Sequence, residues 1–463
     1  MRSKFKKLEA DILCAKLLRE VEDEVTTLLG DLIRINTTNP PGNETPAAKF
    51  LAKALEEEGL RCEVVESSKG RGNVVTRIKG GGEKPSLLLL SHLDVVPATP
   101  KEWSVDPFSG LVKEGYVWGR GALDCKSLVA IETLVMKLLA RNEVKLKGDV
   151  IFAATADEEM GGGAGVGWLV ESHPEKIKAD YVINEGNIPP SIPINGKHIF
   201  TVQTAEKGIV WMRIKAHGRP GHGSVPGVAD NAVLRMAEVT RRLGTHRSKI
   251  KVVPTVKNMI KELSKERGTI ARLLSSLMTN PFFADRILDQ MAKKEKGTAE
   301  FFRALMRTTI APTMVQGGIK ENIIPSECEG VFDCRILLGQ TKETLLNEVK
   351  EVLKDIKNLE FEYIKADEPS ESPFDTALYR QVEETLKEFL PDCSVIPFMM
   401  TGGTDSRYLR RLGSVCYGFQ PLKTDVPTDE MSKMIHGIDE RISVENLVFG
   451  TSVLYRLVEK FMA

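Results

Sequence analysis

Three short apolar runs, each followed by acidic or imidazole side chains, constrain the fold of this 463-residue chain most strongly. The runs cover residues 86–90 (SLLLL), 149–155 (DVIFAAT) and 180–184 (DYVIN). Continuous apolar runs of this length are typical of strands buried on both faces of a parallel sheet. Ligands of open α/β sheets bind beyond the carboxyl ends of such strands, so we predict that the polar side chains after the runs converge. Those side chains are His92, Asp94, Glu158, Glu159 and Glu185.

The domain organisation follows from a change of pattern along the chain. Strand-like and helical segments alternate over the first 200 residues, which predicts an α/β fold with a mostly parallel sheet flanked by helices. From about 200 to 215 polar and apolar residues alternate, as in one half-buried antiparallel strand. We therefore predict an α/β domain of residues 1–205 and 370–463, into which a lid-like α+β domain of residues 206–369 is inserted. Helical stretches are predicted near 5–35, 125–142, 230–243, 255–279, 283–308 and 444–461.

Composition excludes several classes of partner. Lys plus Arg and Asp plus Glu each number 64, and no long block of one charge indicates nucleic acid or an anionic membrane as a partner. The seven cysteines have no CxxC spacing, so neither a disulfide framework nor a zinc ribbon is indicated. No stretch is typical of a signal peptide or a membrane span. We expect a cytoplasmic protein that acts on a small molecule or a short peptide.

Five side chains are candidate metal ligands, and their types predict a site for two cations. Two divalent ions about 3.5–4 Å apart need a carboxylate that reaches both, and Asp124 in WGRGALDCKS is the candidate for this bridge. His92 and Glu185 would complete one site, and Glu159 and His436 the other. Mixed nitrogen and oxygen ligands suit Zn²⁺, with Co²⁺ or Mn²⁺ as substitutes.

Two further carboxylates are assigned supporting roles. Glu158 and Glu159 are consecutive, so their side chains diverge, which leaves Glu158 as the general base that takes a proton from water and delivers it to the leaving amine. Asp94 lies two residues after His92 and is expected to accept the second ring N–H of that histidine. Alternatives remain at this stage: the paired glutamates could be solvated helix charges, and Asp124 could simply cap the following helix.

Nine segments together resemble one family of enzymes. They are SHLDVVP, GRGALDCKS, ADEEMGG, INEG, GRPGHGSVP, NIIPSE, DCR, GGTDSR and MIHGIDER. They are similar to motifs of the zinc-dependent aminoacylase, acetylornithine deacetylase, succinyl-diaminopimelate desuccinylase and glutamate carboxypeptidase family. The resemblance implies a zinc-exopeptidase-like domain with an inserted lid and dimerisation domain. It also implies the same five ligands, Glu158 as base, Asp94 as the histidine-orienting residue and a cis peptide bond after Asp124.

The resemblance assigns substrate-binding roles in the inserted domain. His222 matches a histidine that, in dimeric relatives, stabilises the oxyanion in the partner's active site. Asn322 and Arg335 match substrate-binding positions, with Arg335 as the fork for a free α-carboxylate. Gly403 and Thr404 match a loop that approaches the substrate through its backbone. From the residues alone, His222 could instead be a loop histidine, and Arg335 a surface charge on a strand.

The inserted domain carries an extra, mainly helical segment at about residues 246–308. This segment makes the chain more similar to the carboxypeptidase S and N-acyl amino acid hydrolase branch. Its apolar residues could shield an acyl pocket, or they could serve lid packing and dimer contacts. They are Ile260, Leu263, Leu273, Leu274, Leu277 and Met278.

The combined expectation is a homodimeric dizinc amidohydrolase that cleaves N-acyl amino acids or short peptides bearing a free carboxylate. A dipeptidase or carboxypeptidase would use the same centre. A metal-dependent binding protein without catalysis and a dinuclear phosphoesterase are alternatives from other classes.

Overall fold

Two compact units make up the described part of the chain, residues 20–186 and 189–463 of a computed structural model. The first unit comprises the described residues up to Thr204, together with Ser372–Ile396 and Thr404–Ala463. The second comprises Ala205–Glu371 and Pro397–Gly403. The sequence-based division assigned residues 397–403 to the first domain. They cluster with the second unit because Lys207 N donates to Met400 O at 3.0 Å and Phe398 stacks on Phe301.

Helices and strands alternate up to residue 206, as the sequence predicts. Residues 5–19 of the helix predicted at 5–35 lie outside the described residues, and residues 20–34 (α1) are helical. The elements that follow are α2 (Thr45–Glu56), β1 (Cys62–Glu66), β2 (Gly72–Ile78), β3 (Leu87–His92), β4 (Leu111–Lys113), β5 (Tyr116–Trp118), α3 (Lys126–Arg141), β6 (Val150–Thr155), α4 (Val166–Ser172), α5 (Pro174–Ile177), β7 (Tyr181–Asn184), β8 (Ser191–Ile194) and β9 (Lys197–Glu206).

The second unit is α+β, and the chain then returns to the first. The elements are β10 (Gly208–His217), β11 (Gly221–His222), α6 (Ala232–Thr245), α7 (Pro254–Lys265), α8 (Thr269–Met278), α9 (Pro281–Ala292), α10 (Lys296–Leu305), β12 (Thr309–Gly317), β13 (Ile323–Ile324), β14 (Glu327–Ile336), α11 (Lys342–Val352), β15 (Leu359–Asp367), β16 (Ser370–Glu371), α12 (Ala377–Phe389), β17 (Ser394–Met400), α13 (Ser406–Arg411), β18 (Val415–Gly418), α14 (Thr428–Met434), β19 (Arg441–Ser443) and α15 (Val444–Met462).

The main sheet of the first unit has a parallel centre. Its strands run in the order β1-β2-β6-β3-β7-β18-β9, and β6, β3, β7 and β18 are mutually parallel. Antiparallel pairs flank this centre, β1 with β2 and β2 with β6 on one side, and β18 with β9 on the other. The predicted α/β class is therefore confirmed, and the carboxyl ends of β6, β3 and β7 lie side by side.

Both faces of the central strands are buried, which explains why their sequences lack polar alternation. Leu87 and Leu89 of β3 belong to a core shared with α1, α2, α3, α12 and α15, whereas Leu88 and Leu90 point to the opposite core with α4 and α13. Side chains alternate along a strand, so a strand between two helical layers must be apolar at every position.

The segment near residue 200, predicted as one alternating strand, is instead two strands. In β9 residues 199–206 are all buried, while β10 alternates buried and less buried side chains. The break falls at Lys207, and only β10 has the pattern of a half-buried antiparallel strand. The sequence prediction merged a doubly buried strand with its half-buried successor.

One face of the four-stranded sheet in the second unit packs against helices. The strand order is β12-β14-β10-β15, all antiparallel. Val210, Met212 and Ile214 alternate onto the packed face, where Met236 of α6 and Leu345 of α11 join the same apolar cluster. The period of two in β10 thus decides which face of the sheet is covered.

The extra helical segment forms four helices, where two stretches were predicted. The stretch predicted at 255–279 divides into α7 and α8, because Gly268, with φ of 88°, precedes α8 in a conformation that suits glycine. The stretch predicted at 283–308 divides into α9 and α10 at residues 293–295, and α9 begins at Pro281 with the Asn280 side chain accepting from Phe282 N. Within the described residues, no helix is long and apolar enough to cross a membrane.

A buried lysine stands at the strand break in the second unit. The Lys207 ammonium donates to Ala304 O at 3.0 Å and Arg307 O at 2.7 Å, at the end of α10. Burial lowers the pKa of Lys207 to about 7. The unfolded chain, with an ordinary lysine pKa near 10.4, therefore binds more protons than the folded chain between about pH 7 and 10.

We expect the stability of the native protein to depend on this group. The free energy of unfolding of the parent should rise with pH between about 7 and 10, by up to about 1.4 kcal/mol per pH unit, relative to Lys207→Met. Urea unfolding of both proteins across this range measures the difference. Lys215→Met, at a partly exposed position on β10, is the control and should follow the parent. Parallel pH profiles for the parent and Lys207→Met would contradict the assignment.

Candidate metal centre

The candidate ligands are presented by separate elements of the first unit. His92 is the last residue of β3, and Glu185 directly follows β7. Glu159 lies in the short 3-10 turn Glu158–Met160 that follows β6. Asp124 stands just before α3, and its peptide bond to Cys125 is cis, as expected. His436 follows α14 with a positive φ of 54°.

One cluster of donor atoms surrounds the end of β3. His92 Nε2 lies 3.1 Å from Asp124 Oδ1 and 3.4 Å from Glu185 Oε2. His92, Asp124, Glu185 and the thiol of Cys125 offer atoms that are all within 4.8 Å of one another. These groups are spaced to hold one cation.

A second cluster shares Asp124 with the first. His436 Nε2 lies 3.4 Å from Asp124 Oδ2 and 3.2 Å from Glu159 Oε2. The two oxygens of Asp124 therefore face different histidines, one in each cluster. This is the bridging arrangement that the sequence predicts for Asp124. The alternative of a helix cap is wrong, since α3 has no side-chain cap and begins after Cys125.

The tautomer of His92 is fixed by its surroundings. Its Nδ1 lies 2.9 Å from the backbone carbonyl of Asp94. A carbonyl oxygen can only accept, so Nδ1 carries the proton and the Nε2 lone pair faces the carboxylates of Asp124 and Glu185. Two carboxylate oxygens and a lone pair all repel one another, and only a proton or a cation between them resolves this.

The carboxylate of Asp94 does more than the sequence predicts. Its Oδ1 lies 3.5 Å from His92 Nδ1, the ring nitrogen that it was predicted to face, while the Asp94 carbonyl oxygen makes a closer contact with the same nitrogen. In addition, Oδ1 accepts from Glu158 N at 3.0 Å and Oδ2 from Glu159 N at 3.2 Å. Asp94 thus orients the histidine through its backbone and holds the turn that bears both glutamates through its side chain.

A network behind Asp94 was missed by sequence reasoning. Asn39 Nδ2 donates to Asp94 Oδ2 at 2.8 Å and to Asp157 Oδ1 at 3.2 Å. Arg71 pairs with both Asp157 and Glu44 from a largely buried position. One sequence signal for this network is the NPPGNE segment (residues 39–44), where polar residues stand in the turn directly before helix α2. Its role as a support for Asp94 depends on contacts across 55 residues.

Charges in the centre shift several pKa values. The pKa of His436 is raised to about 10, first by its contact with Asp124 and then by Glu159. Burial would lower the pKa of His92, but Cys125, Glu185 and Asp124 raise it well above its ordinary value. Burial, reinforced by the charge of Glu185, raises the pKa of Glu158. The protein without cations therefore holds protons where cations would otherwise lie.

The residues present fit two divalent cations. Glu159 Oε1 is buried and has no hydrogen-bond partner among the described residues. The donors are two imidazoles and three carboxylates, a set that suits Zn²⁺ and chemically similar ions. Cys125 completes the first cluster by distance, yet its thiol accepts from His92 N at 3.3 Å and burial raises its pKa. We therefore leave Cys125 out of the ligand set.

The remaining candidates for substrate binding lie in the second unit, apart from Thr404. His222 ends β11, and its Nδ1 accepts from Ser224 N at 3.1 Å, so its proton lies on Nε2. Asn322 is exposed, and its carbonyl accepts from Gly223 N at 2.8 Å. Arg335 on β14 donates through Nε and Nη2 to both oxygens of Asp333, at 2.6 and 2.8 Å.

The GGTDSR loop has its polar side chains turned inward. Thr404 is buried, and its hydroxyl accepts from Ser406 N at 3.3 Å. Gly403 is partly exposed. Asp405 is buried with neither carboxylate oxygen hydrogen-bonded within the described residues, and burial raises its pKa to about 7. That the backbone of Gly403 and Thr404 approaches a substrate stays a prediction of the resemblance.

Comparison with known proteins finds a matching family profile and relatives that are similar over most of the chain. A profile of peptidase family M20/M25/M40 matches residues 88–460. The chain is 28% identical over 390 residues to the N-fatty-acyl-amino acid synthase/hydrolase PM20D1 of Mus musculus, covering 82% of this chain and 75% of that protein. It is 27% identical over 450 residues to Aminoacylase-1B of Rattus norvegicus, covering 95% of each.

A solved structure shares the fold. The M20 family metallo-carboxypeptidase Sso-CP2 from Sulfolobus solfataricus superposes with a TM-score of 0.72 and 18% identity, covering 95% of this chain and 99% of that chain. Fold, ligand clusters and relatives together define a metal-dependent hydrolase that acts on amide bonds. The chain belongs to peptidase family M20/M25/M40.

Removal of metal should destabilise the protein. Because removal of the cations would leave like charges confined together, chelation with EDTA should lower the melting temperature, and Zn²⁺ should restore it. When the free ion concentration is about a hundred times the Kd, each occupied site adds about 2.7 kcal/mol to the free energy of unfolding. Binding should weaken as pH falls, since protons compete for the same atoms. Differential scanning calorimetry measures the change.

Two variants test the assignment of ligands. His92→Gln should lose one ion, whereas His217→Gln, an exposed histidine paired with Glu360, should bind like the parent. Metal content measured by atomic emission after dialysis gives the count. Equal ion content in His92→Gln and the parent would remove His92 from the ligand set.

Proposed function

We propose that the protein is a dinuclear zinc amidohydrolase that cleaves N-acyl amino acids, or short peptides, with a free α-carboxylate. The observation that carries this proposal is the pair of donor clusters that share Asp124, each with one further histidine and one glutamate. Two bound divalent cations, Zn²⁺ with Co²⁺ or Mn²⁺ as substitutes, would polarise the substrate carbonyl and lower the pKa of water. Family membership supports the amide bond as the target.

Glu158 is the general base in this proposal. It adjoins the ligand Glu159, and its backbone is held by Asp94. Burial raises its pKa well above the ordinary glutamate value, which makes the carboxylate a stronger proton acceptor. Glu158 takes the proton from the attacking water and delivers it to the nitrogen of the breaking amide bond. No other side chain has to move a proton in this scheme.

His222 stabilises the developing oxyanion. The Ser224 amide donates to Nδ1, so Nε2 bears the proton and can donate to an oxygen that gains negative charge. The side chain is exposed, which suits a donor that must reach a substrate. Asn322, together with the backbone of Gly403 and Thr404, supplies further polar contacts to the substrate.

Arg335 is the proposed partner of the substrate α-carboxylate. A planar guanidinium holds a carboxylate through two parallel hydrogen bonds, and the present bonds to Asp333 display this geometry. A substrate carboxylate would compete with Asp333 or share the guanidinium with it. This competition favours substrates that bring a full negative charge.

A homodimer formed through the second unit completes the proposal. Strand β12 is the edge of its sheet, and residues 311–317 are exposed, with Met314 at 60% and Val315 at 56% of their maximum. An apolar, unpaired edge is a ready site for a second copy. A mass of one chain in sedimentation equilibrium would remove this part of the proposal.

The cytoplasm is the proposed location. All six described cysteines are free, which suits a reducing compartment. Fractionation of cells followed by immunodetection tests this part, and recovery outside the cytosolic fraction would overturn it.

The length of the acyl chain is the remaining property of the proposed substrate. Similarity to the mouse N-fatty-acyl-amino acid synthase/hydrolase favours long acyl groups, whereas the name of the rat aminoacylase specifies no chain length. In the extra helices Ile260 and Met278 are buried, whereas Leu273 and Leu274 are 64% and 48% exposed. The exposed pair supports contact with a long chain. A panel from N-acetyl to N-oleoyl amino acids, with dipeptides alongside, separates these preferences.

We expect Glu158→Gln to keep its metal and lose activity. General bases contribute about 10²–10⁴-fold, so kcat should fall by that factor while ion content stays at the parent value. Hydrolysis of the preferred panel substrate and atomic emission give the two readings. Glu175→Gln, an exposed glutamate on α5, is the control and should behave like the parent. Activity within threefold of the parent in Glu158→Gln would remove it as the base.

Arg335→Ala should discriminate between charged and blocked substrates. Its kcat/KM for an N-acyl amino acid should fall by about 10- to 100-fold, as expected for loss of a charge-assisted hydrogen bond of about 1.5–3 kcal/mol. Turnover of the corresponding carboxamide should change little. Arg213→Ala, which pairs with Glu362 on the same sheet, is the control. Equal losses on the two substrates would refute the role.

A further inference from the structure

Glu440 is a buried carboxylate beside the metal centre that the proposed mechanism does not use. It lies four residues after His436 in MIHGIDER and directly before β19, and it is completely buried. Its two sequence neighbours, Asp439 and Arg441, are also charged but are partly exposed. The sequence alone therefore does not distinguish Glu440 as a buried charge.

All the strong contacts of Glu440 go to the loop that bears Asp124. Its Oε1 accepts from Leu123 N at 2.6 Å and from Asp124 N at 3.0 Å. Its Oε2 accepts from Gly121 N at 3.0 Å and from Arg120 Nη1 at 2.7 Å. Four donors on five consecutive residues thus converge on one carboxylate.

The loop that bears Asp124 and the loop that bears His436 are joined by further hydrogen bonds. Arg120 Nη2 donates to Gly437 O at 2.6 Å, and Gly119 N donates to Glu440 O at 2.9 Å. The loop of His436 and the loop of Asp124 are therefore fixed to each other through Glu440 and Arg120. These two ligands come from parts of the chain more than 300 residues apart.

We propose that Glu440 is a positioning residue that sets the second cation site, formed by Asp124, Glu159 and His436. It touches neither substrate nor cation, and it acts by holding the Asp124 loop against the His436 loop. The inference rests on the proposed function in one respect, that the two clusters bind cations. It goes beyond that function by assigning unequal support to the two sites.

The asymmetry follows from how each ligand is held. In the first cluster the sheet fixes two of the three ligands, because His92 ends the buried strand β3 and Glu185 follows β7, and only the shared Asp124 is held by Glu440. In the second cluster Glu159 is held through its amide by Asp94. Asp124 and His436 lie in loops, and Glu440 binds the backbone of one while belonging to the other. Loss of Glu440 should therefore weaken the second site far more than the first.

The fold should survive removal of the Glu440 charge. Asp439 holds the same loop through two bonds to Ser104, each of 2.7 Å, and these do not involve the Asp124 loop. In Glu440→Gln one amide oxygen replaces two carboxylate oxygens, and the amide NH₂ group faces N–H donors. Glu440→Asp keeps the charge for Arg120 but is one methylene shorter, so it cannot reach both ends of the loop.

The experiment is a titration of the metal-free full-length protein with Co²⁺, followed by visible absorption and by calorimetry. The parent should bind two ions. Glu440→Gln and Glu440→Asp should bind the first ion within about threefold of the parent and the second at least tenfold more weakly. Glu445→Gln removes an exposed carboxylate from the adjacent helix α15 and should match the parent at both sites.

Two outcomes overturn the proposal. Parent-like affinity for both ions in either folded variant would show that Glu440 does not set the second site. Equal weakening of both ions would show general support of the fold. Should Glu440→Gln fail to fold, Glu440→Asp alone decides. If the parent binds two ions but hydrolyses no panel substrate, the proposed function fails while this inference stands, so the two failures are distinguishable.

Discussion

The carboxylate of Asp124 is the constraint on which the metal centre depends. Each of its oxygens faces a different imidazole, at 3.1 Å for His92 and 3.4 Å for His436. Glu159 and Glu185 add one further carboxylate on each side. Such a cluster of negative charges and lone pairs is unfavourable unless protons or cations lie between them, and the cost is greatest where water is excluded. The raised pKa values of both histidines express this demand in the protein without metal. The arrangement is therefore held together by the rest of the first unit.

The supporting structure uses two carboxylates as anchors for backbone. Asp94 binds the amides of Glu158 and Glu159, and Glu440 binds those of Leu123 and Asp124. In each case an ionised group receives several N–H donors, which stabilises charge in a buried place and fixes the direction of the adjacent ligand. Ligands on strands need less of this support, because the parallel centre of the sheet already fixes the end of β3 against that of β6.

The sequence predicted the parts of the centre that depend on local pattern. Doubly buried strands are visible as apolar runs, and the residues that follow them, His92, Glu159 and Glu185, do converge. Contacts between loops that are distant in sequence could not be predicted. The position of Asp94 next to His92 suggested a side-chain bond, whereas the backbone carbonyl makes the closer contact. Glu440 and Arg71 had no recognisable pattern, since their partners lie at distances in sequence that only the fold brings together. The break at Lys207 was missed because β9 and β10 are both apolar on one face, and only burial of the other face separates them.

In the second unit two of the residues proposed to bind substrate, His222 and Arg335, already contact a side chain two positions away in sequence. Arg335 holds Asp333 two residues away, and His222 receives two donors from Ser224. These local pairs have opposite effects on recognition. Ser224 fixes the proton of His222 on Nε2 and so prepares it to donate, which lowers the entropy lost when substrate binds. Asp333 keeps Arg335 extended but must be displaced or shared, which costs free energy that only a charged carboxylate repays. If Arg335 has its proposed role, a neutral ligand would leave the guanidinium with Asp333, and selectivity for a free acid would come from competition within the strand as much as from attraction to the substrate.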